Sequence, residues 1–392
     1  VSLGLLPLTL LLFQRGSLVA PLANVFAIPL VTLLATPLAL AGSVLALACE
    51  PCGQALLWLA ARLLEGLMGL LHAMAGWPMA QWFPPQAAPW AFLLAVPAIA
   101  WLLAPSRLPA GWVGLVLLVP LAWPRMPQPA PGELWLDMLD VGQGQAVLVR
   151  TAGHAMLYDA GPVSFGGFDA GAEIVLPVLR GLGVERLDVV VLSNGDRDHA
   201  GGWAAIHSNR EVLRLLHGGG IEDGTPCRKG EGWAWDGVRF AVLHPDDGFH
   251  AGKSNDQSCV LRIIGPGGSV LLTGDIEQRA EQALLKSGEA LRATVVQVPH
   301  HGSKTSSGEA FVAAVKTMIA LVSAGYRNQF GHPRPEVVAR WEADGAKIFD
   351  TPACGRIQIR LAEGKRPQVH CFRQGWPWAW RVPVIPAGEH EG

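Results

Sequence analysis

The 392-residue sequence predicts two kinds of structure in succession, a helical membrane segment and then an α/β sandwich domain. Charge is unevenly divided, because residues 1–132 hold only four arginines and two glutamates. Long apolar stretches with so few charges are typical of membrane helices. The other 26 basic and 30 acidic residues (30 − 4 and 32 − 2) lie beyond residue 132, among shorter apolar runs with strand-like spacing.

Apolar stretches within residues 1–123 predict a multi-pass helical segment. Residues 18–48 form the longest stretch. Pro29 and Pro37 within it predict a kinked crossing, or a re-entrant half-helix followed by a crossing. Shorter apolar stretches follow at 54–71, 90–103 and 112–123.

Polar residues interrupt these stretches at a few places. An amide within lipid is costly without a hydrogen-bond partner, so Asn24 is predicted either to hold helices together or to line a conduit. Arg62 and Glu65 are three positions apart on a predicted helix. This pair predicts either a polar stripe facing a pore or an interfacial salt bridge.

The scatter of the six cysteines predicts neither a disulfide framework nor a zinc ribbon. Cys49 and Cys52 have the spacing of a redox motif, but they lie at the end of a membrane stretch without a βαβ context. A local disulfide or two free thiols is therefore favoured over a redox site. The other cysteines are Cys227, Cys259, Cys354 and Cys371.

Four prolines between 124 and 131 predict a linker over residues 124–132. Strand-like and helix-like patterns then alternate over residues 133–372, which predicts β-rich sheets with outer helices. The predicted strands are 134–139, 146–149, 155–158, 187–192, 238–243, 259–264, 269–272, 294–298, 319–322 and 357–361. The predicted helices are 172–181, 276–285, 310–315 and 335–343. A tail rich in tryptophan and proline occupies residues 373–392.

The most informative stretch follows the predicted strand 187–192, which is apolar without alternation and therefore buried on both faces. Asp196, Asp198 and His199 come next, on one loop at the C-terminal end of this strand. Carboxylates this close repel one another unless a cation neutralises them, which predicts a metal site. An aspartate-rich turn that caps the next helix is the structural alternative.

Further polar residues follow other predicted strands in chain order. Asp275 follows strand 269–272, where it is either a metal ligand or a cap of the next helix. His300 and His301 follow strand 294–298, and such a pair is hard to explain structurally. His332 is either part of the same site or a packed surface histidine. Their recurrence at strand ends favours one shared site.

The segment Asn194-x-Asp196-x-Asp198-His199 resembles the His-x-[His/Asp]-x-Asp-His signature of the metallo-β-lactamase fold. It is closest to the version in competence proteins of the ComEC/Rec2 family. The resemblance extends to motifs around Asp140, Asp159, Asn255, Asp275, His300 and residues 326–333, and in the membrane part to residues 21–31. It implies an αββα sandwich over residues 133–372 and the end of a competence channel domain over residues 1–123. The chain would then be the C-terminal part of a longer protein.

The resemblance also implies roles for individual residues. One cation would be held by Asp198, His199, Asp275 and one of His300 and His301, and the other by Asp196 and Asp275, with Asn194 at a position that the family usually fills with histidine. Asp198 and His332 are the implied catalytic residues, with His332 a ligand or a general acid near the leaving group. Asp140, Asp159, Asn255 and Ser258 are implied as supporting residues, and Asp159 orients the ligand loop without being a ligand.

This ligand set predicts metal-assisted hydrolysis, in which one or two divalent cations lower the pKa of a bound water and polarise a phosphoryl or carbonyl oxygen. Ligands rich in aspartate and free of thiolate favour Mn²⁺ over Zn²⁺. Asn194 weakens the first cation position, and Gln145 stands where the family commonly has aspartate. We therefore expect, in this order, a single-metal enzyme, a two-metal enzyme with a labile site, or a degenerate domain.

The resemblance implies DNA uptake across a bacterial inner membrane during natural transformation. Single-stranded DNA would pass the membrane helices, and a periplasmic nuclease domain would act on the strand that is not transported. A DNA receptor and a cytoplasmic translocation helicase are the implied protein partners. The alternatives are a catalytically silent domain on a DNA channel and a membrane-tethered hydrolase of a small ester or lactam. The slight acidity of the domain argues against a simple DNA-binding module.

Overall fold

The computed structural model describes residues 2–77, 80–104, 110–164, 166–246, 248–249 and 253–374. Its contacts divide the chain into two compact units. The first comprises Val1–Met126 with Arg180–Gly183, and the second comprises Pro127–Leu179 with Val184–Gly392. Most of the tail predicted at 373–392 lies outside the described residues, from residue 375 onward.

The first unit is helical. Its described residues form α1 (Ser2–Phe13), α2 (Ala20–Pro29), α3 (Thr36–Ala46), α4 (Glu50–Ala75), α5 (Pro89–Leu103) and α6 (Trp112–Ala122). A π-helical segment, Leu30–Ala35, directly follows Pro29 and joins α2 to α3 without a break. A proline inside a helix removes one backbone donor, and a local change to π-helical bonding accommodates that loss. The structure thus has one continuous helical stretch here and no re-entrant half-helix.

Two of these helical stretches, Ala20–Ala46 and Glu50–Ala75, are long and apolar enough to cross a membrane. The apolar stretches of α1, α5 and α6 are shorter. Length and composition therefore support two candidate crossings in the described part of the chain. The larger number expected from the sequence stays a prediction.

Helices α3 and α4 form a close antiparallel pair. A Cβ atom at Gly53 would lie 2.5 Å from the Cα of Ala46, so only glycine permits this approach. Cys49 and Cys52 form a disulfide at the turn between the helices, which is one of the two alternatives that the sequence left open. Further along α4, Arg62 Nη2 lies 2.6 Å from Glu65 Oε1, so the two residues form a salt bridge. Whether this pair faces a pore or a membrane interface stays a prediction.

The second unit is built on two mixed sheets. The first sheet has the strand order β17-β16-β1-β2-β3-β5-β7-β8, and the second has the order β15-β14-β13-β12-β11-β10-β9. The strands are β1 (Leu134–Met138), β2 (Val147–Arg150), β3 (Ala155–Tyr158), β4 (Arg186–Leu187), β5 (Val189–Leu192), β6 (Glu211–Val212), β7 (Leu215–His217), β8 (Thr225–Pro226), β9 (Gly232–Trp235), β10 (Val238–His244), β11 (Val260–Gly265), β12 (Gly268–Leu272), β13 (Val295–Gln297), β14 (Ile319–Val322), β15 (Lys347–Asp350), β16 (Ile357–Leu361) and β17 (Gln368–Cys371). β4 and β6 form a separate small pair.

One continuous core joins the two sheets. Val191 and Leu216 of the first sheet and Leu261 and Leu272 of the second are all buried in it. The helices of this unit are α7 (Leu176–Gly181), α8 (Arg197–Ala200), α9 (Trp203–Asn209), α10 (Gln278–Lys286), α11 (Glu309–Val315), α12 (Pro335–Ala343) and α13 (Thr351–Cys354). A second core packs α10, α11 and α12 against the second sheet, with Trp341 fully buried. The predicted sandwich of sheets with outer helices is therefore confirmed.

Strand directions bring several loops to one edge. β12, β13 and β14 pair in parallel, as do β3 and β5 in the first sheet. Parallel neighbours end on the same side, so the loops that follow them meet there. The chain segments after β5, β12 and β13 are the ones that carry the predicted metal ligands.

Most predicted strands are present with small shifts at their ends, and the differences have local causes. The strand predicted at 187–192 is divided at Asp188, whose buried carboxylate accepts a hydrogen bond from the backbone N–H of Ala155. The strands that the sequence did not predict are β6, β7, β8, β9, β15 and β17. β9 and β17 lie at sheet edges and alternate exposed with half-buried residues, so they lack the apolar run that marks a central strand.

The prediction of no disulfide framework is wrong. Besides Cys49–Cys52, the second unit contains the disulfides Cys227–Cys259 and Cys354–Cys371. The partners are 32 and 17 residues apart in sequence, and the fold alone brings them together. Cys227 directly follows β8 of the first sheet and Cys259 directly precedes β11 of the second, so this bond ties the two sheets.

Candidate metal centre

Four side chains from three loops converge at the shared edge of the sheets. Asp198 and His199 follow β5, Asp275 follows β12, and His301 follows β13. Each offers one ligand atom, and these four atoms lie within 4.8 Å of one another. Nε2 of His199 lies 3.1 Å from Oδ1 of Asp275, and Nε2 of His301 lies 3.4 Å from Oδ2 of Asp198. Two carboxylates and two imidazoles therefore face a single point.

The donor atoms of this cluster fit a divalent cation. His199 Nε2, His301 Nε2 and Asp275 Oδ1 are buried and make no hydrogen bond of acceptable geometry among the described residues. Buried polar atoms are normally satisfied, so several such atoms aimed at one point indicate a missing common partner. Nitrogen and oxygen donors in this number suit a first-row metal ion.

Two acceptors behind the imidazoles fix their orientation. Nδ1 of His199 donates to Oδ2 of Asp159 at 2.8 Å, and Nδ1 of His301 donates to the backbone oxygen of Ser323 at 2.8 Å. Both bonds leave Nε2 facing the cluster, which is how metal-binding histidines are usually held. Asp159 also accepts from the backbone N–H of Ser193 at 2.6 Å, so it joins the strand end to the ligand His199.

Charge in the cluster favours a bound cation. Burial alone would lower the pKa of His199, yet the carboxylates of Asp275 and Asp159 raise it well above its ordinary value. Burial alone would raise the pKa of Asp275, yet the adjacent His199 and His301 hold it below its usual range. The carboxylates therefore draw positive charge into a buried pocket, either as protons on the imidazoles or as a metal ion.

Asn194 and Asp196 are engaged in hydrogen bonds of their own, and Asp196 is not among the four residues of the cluster. The amide of Asn194 donates from Nδ2 to Oγ of Ser258 at 3.0 Å, and its Oδ1 accepts from the backbone N–H of Asp196 at 2.9 Å. The carboxylate of Asp196 accepts from Oγ of Ser254 at 3.1 Å. Asn194 and Asp196 are thus engaged in hydrogen bonds with each other, with Ser258 and with Ser254.

His300 lies at the margin of the site. Its Nε2 is 3.7 Å from Oδ2 of Asp275 and 3.4 Å from Nδ2 of Asn255. Its other ring nitrogen is 3.2 Å from Oγ1 of Thr305. His300 and His301 both have positive φ values, 49° and 54°, and this strained turn points the two rings in different directions.

His332 stands behind His300, with ring centroids 5.9 Å apart. Burial, together with the neighbouring His301, His300 and Arg334, lowers the pKa of His332 to about 4. The ring is therefore neutral at neutral pH and must take up a proton before it can donate one.

Three further residues singled out in the sequence have other surroundings. Asp140 forms an ion pair with Arg373, in which Nη2 and Oδ2 are 2.6 Å apart. Asn24 is exposed on α2 in the first unit. Gln145 is fully buried and its side-chain amide has no hydrogen-bond partner, while its backbone N–H donates to the backbone oxygen of Asp198.

Gln297 is a site residue that the sequence analysis missed. Its buried Oε1 accepts from the backbone N–H groups of Thr273 and Gly274 at 2.8 and 2.9 Å, and its Nε2 donates to the oxygen of Val298 at 2.7 Å. This one side chain joins the loop of Asp275 to the loop of His301. A polar residue at the end of an apolar strand was the only available signal.

The fold and the cluster together define a member of the metallo-β-lactamase superfamily, and the model of that superfamily matches residues 139–326. The family model described as "Competence protein" matches residues 1–109. The chain belongs to the ComEC/Rec2 family of competence proteins.

Three relatives illustrate this membership. "Uncharacterized protein YcaI" of Escherichia coli is 36% identical over 100% of this chain and 50% of its own length. "Competence protein ComA" of Neisseria gonorrhoeae is 36% identical over 93% of this chain and 51% of its own length. "Recombination protein 2" of Haemophilus influenzae is 34% identical over 63% of this chain and 31% of its own length. The chain therefore spans about half the length of the first two relatives.

Proposed function

We propose that this chain is part of a DNA-uptake protein of a bacterial inner membrane, active in natural transformation. Its helical unit would contribute several membrane crossings, with Asn24 among the residues that line or brace the path of single-stranded DNA. Its sandwich domain would hydrolyse phosphodiester bonds of the strand that is not transported. The observation that carries the enzymatic part is the four-residue cluster with its unpartnered buried donor atoms.

The chemistry assigned to each residue follows from its position. Asp198, His199, Asp275 and His301 would hold one divalent cation, which supplies Lewis acidity for ester hydrolysis when bound. Asp159 and the backbone of Ser323 keep the two imidazoles oriented toward it.

Residues around the cluster would act on the substrate. Asn255 and His300 present side-chain nitrogen atoms beside Asp275, where they can donate to phosphate oxygens. His332 lies one ring further out, in reach of a leaving group.

The metal we propose is Mn²⁺ in preference to Zn²⁺. The cluster contains two carboxylates and two imidazoles and no thiolate, and such a set gives zinc no special advantage. We propose one cation per chain, because Asn194 and Asp196 are engaged in hydrogen bonds outside the cluster.

The same engagement of Asn194 favours one alternative function. If both cations are required for cleavage, the domain would be catalytically silent and would serve the DNA channel by binding or positioning alone. A hydrolase of a small ester or lactam rests on the superfamily fold and has no separate observation in its favour.

For localisation we propose the periplasmic face. Disulfides persist in oxidising compartments and are rare in the bacterial cytosol, and the domain holds Cys227–Cys259 and Cys354–Cys371. A DNA receptor on the outer side and a translocation helicase on the cytoplasmic side remain the proposed protein partners. In intact cells, membrane-impermeant maleimide should label these cysteines after treatment with an impermeant reductant under conditions that unfold the domain. Labelling that requires permeabilisation of the inner membrane would contradict this placement.

The test of the enzymatic proposal uses the full chain in detergent micelles with labelled single-stranded DNA and Mn²⁺. We expect cleavage by the wild type and none by Asp198→Ala, because the cluster then loses one of its two carboxylates. Asp223→Ala, which changes an exposed aspartate, is the matched control and should cut like the wild type. Chromogenic lactam and lactone substrates run in parallel should be poor substrates.

Three outcomes would decide against the nuclease. No cleavage with Mn²⁺, Zn²⁺ or Mg²⁺ would support the silent alternative. Cleavage that survives Asp198→Ala would mean that another site or a contaminant is responsible. Faster turnover of lactone or lactam than of DNA would support the small-molecule hydrolase.

A further inference from the structure

Large apolar side chains are rarely exposed in the described part of the second unit, and two that are exposed share one loop. Tyr326 and Phe330 are 46% and 48% exposed. The other large apolar residues exposed there are Leu213 and Met318, which are not aromatic. A buried aromatic ring stabilises a fold, so a ring that stays exposed gives up that stabilisation. Two such rings on one loop therefore indicate a binding surface.

This loop, residues 325–332, is held in place by its own hydrogen bonds. Nδ2 of Asn328 donates to the backbone oxygens of Gly325 and His332 at 2.9 and 2.6 Å, and its Oδ1 accepts from the backbone N–H of His332 at 3.0 Å. The backbone N–H of Gly325 donates to Oε1 of Gln143 at 3.1 Å. The two rings are therefore presented on a closed loop, so little conformational entropy is lost when they bind a ligand.

A row of rings leads from the loop to the metal cluster. The centroid of Phe330 lies 5.8 Å from that of His332, at an interplanar angle of 26°. His332 lies 5.9 Å from His300, and His300 lies 6.3 Å from the cluster residue His301. Phe330 thus occupies the outer end of a path that begins at the reacting centre.

Positively charged residues lie on this loop and close in sequence to His301 and His332, whereas the carboxylate of Glu277 lies 3.4 Å from Nδ1 of His300. The guanidinium of Arg327 lies 5.3 Å from the ring centroid of Tyr326, and Arg327 is exposed. Lys304 is exposed three residues after His301, and Arg334 follows His332. Glu336 is the nearby exposed acid in sequence. An aromatic pair with cations suits a ligand that has flat apolar faces and a negative backbone.

We propose that Tyr326 and Phe330 form a base-stacking subsite that holds a single strand of nucleic acid beside the metal cluster. This inference rests on the proposed function, since it names the substrate contact of the same site. The domain is slightly acidic overall, so net charge cannot supply its affinity for a polyanion. Stacking supplies affinity locally and tolerates any sequence, because every base has a flat face.

The experiment measures binding without cleavage. The full chain carrying Asp198→Ala, in detergent micelles, is titrated against a fluorescein-labelled oligothymidylate and followed by fluorescence anisotropy. Phe330→Ala and Tyr326→Ala should each weaken binding about 5- to 150-fold, the effect of losing one stacked base. Phe330→Trp should bind at least as tightly as the parent.

Matched controls separate an effect on base stacking from an effect on the folding of the domain. Leu213→Ala and Met318→Ala remove the other two exposed apolar side chains and should leave binding unchanged. An abasic oligonucleotide of equal length should bind the parent and Phe330→Ala equally, because it has no base to stack. Equal melting temperatures for all variants would show that the loop changes do not unfold the domain.

Several results would overturn the subsite. Equal affinities of Phe330→Ala and Leu213→Ala for the oligonucleotide would contradict the subsite. A Phe330→Ala defect that persists with the abasic strand, or one seen with anionic lipid vesicles and absent with the oligonucleotide, would assign the rings to another contact. A stacking defect found together with a wild-type chain that never cleaves DNA would support the subsite while the nuclease proposal fails.

Discussion

At the scale of single residues, the hydrogen bonds of Asn194 are the basis for our proposal of one metal ion per chain. Both ends of its amide are occupied, by Oγ of Ser258 and by the backbone N–H of Asp196. An amide oxygen is also a weaker ligand for a first-row metal than an imidazole nitrogen. On this proposal, Asn194 completes a hydrogen-bond network at the position where the resemblance implies a second cation.

Replacing this residue should add a metal ion. We expect Asn194→His to raise bound manganese from about one to about two ions per chain, because it restores an imidazole next to Asp196 and Asp275. The loss of the bond to Ser258 should cost about 1–3 kcal/mol of stability. Elemental analysis of the dialysed full chain measures the stoichiometry.

Asn209→His is the control for this change, since Asn209 is exposed at the end of α9 and its side-chain amide donates to the backbone oxygen of Ala205 in the same helix. It should bind the same amount of manganese as the wild type. A stoichiometry in Asn194→His that equals that of Asn209→His would show that the first cation position is lost for another reason.

At the scale of elements, the metal cluster depends on how the loops after β12 and β13 are held together. Gln297 does this with a buried side chain that accepts from Thr273 and Gly274 and donates to Val298. The loops carry Asp275 and His301, so a shift between them changes the distance between two ligands.

Gln297→Met should therefore weaken manganese binding about 10- to 100-fold, as expected when a residue that orients metal ligands is removed. The buried N–H groups left without an acceptor should also lower stability by about 1–3 kcal/mol. Isothermal titration with Mn²⁺ measures the first effect, and thermal melting measures the second.

Gln358→Met provides the comparison, because Gln358 is buried in β16 and donates to Asp137 away from the cluster. It should lower stability with no change in manganese affinity. If both variants bind manganese as the wild type does, the loops are held by other contacts.

Glu281 links two outer helices and makes stability depend on pH. Its carboxylate, on α10, accepts from the backbone N–H groups of Ser307 and Gly308 just before α11. Burial raises the pKa of Glu281 from 4.5 to about 7, although these donors and the nearby Arg340 oppose the change and Asp256 adds to it. Between these pH values the folded state keeps a proton that the unfolded chain releases.

Stability should therefore fall as pH rises from about 4.5 to 7, by at most about 3 kcal/mol. Glu281→Gln cannot ionise, so the wild type should lose stability relative to this variant over that interval. Urea unfolding followed by the fluorescence of buried Trp341 measures the difference. Glu342→Gln, at an exposed position of α12, should track the wild type at every pH. A constant difference between wild type and Glu281→Gln would contradict the raised pKa.

At the scale of the whole molecule, disulfides connect parts of the domain that are distant in sequence. Cys227 and Cys259 are 32 positions apart in the sequence, and their disulfide joins the two sheets. Paired replacement Cys227→Ala/Cys259→Ala should lower the free energy of unfolding by about 2–4 kcal/mol, because the unfolded chain gains freedom. Urea unfolding without reductant gives the value.

Cys49→Ala/Cys52→Ala is the matched pair, since this disulfide spans three residues within the helical unit. It should leave the stability of the sandwich domain unchanged. An equally stable Cys227→Ala/Cys259→Ala variant would mean that these thiols are not paired in the folded protein.

The candidate site was partly predictable from sequence because several ligands are local to one motif. Asp198 and His199 are adjacent in the sequence and follow a run that is apolar on both faces. Such a run predicts a buried strand. The choice between His300 and His301 could not be made in this way. It depends on a strained turn at 49° and 54° that directs only His301 into the cluster. Gln297 was hidden for a related reason, since its partners lie on another loop.

The sequence by itself determined the division into an apolar helical part and a β-rich domain, because hydropathy and strand periodicity are properties of neighbouring residues. It also determined the strand ends at which polar side chains collect. Tertiary structure alone decided the disulfides Cys227–Cys259 and Cys354–Cys371, the edge strands β9 and β17, and which of the predicted residues form the four-residue cluster. Each of these depends on contacts between residues far apart in the chain. A local sequence pattern does not specify which distant segment a side chain will contact.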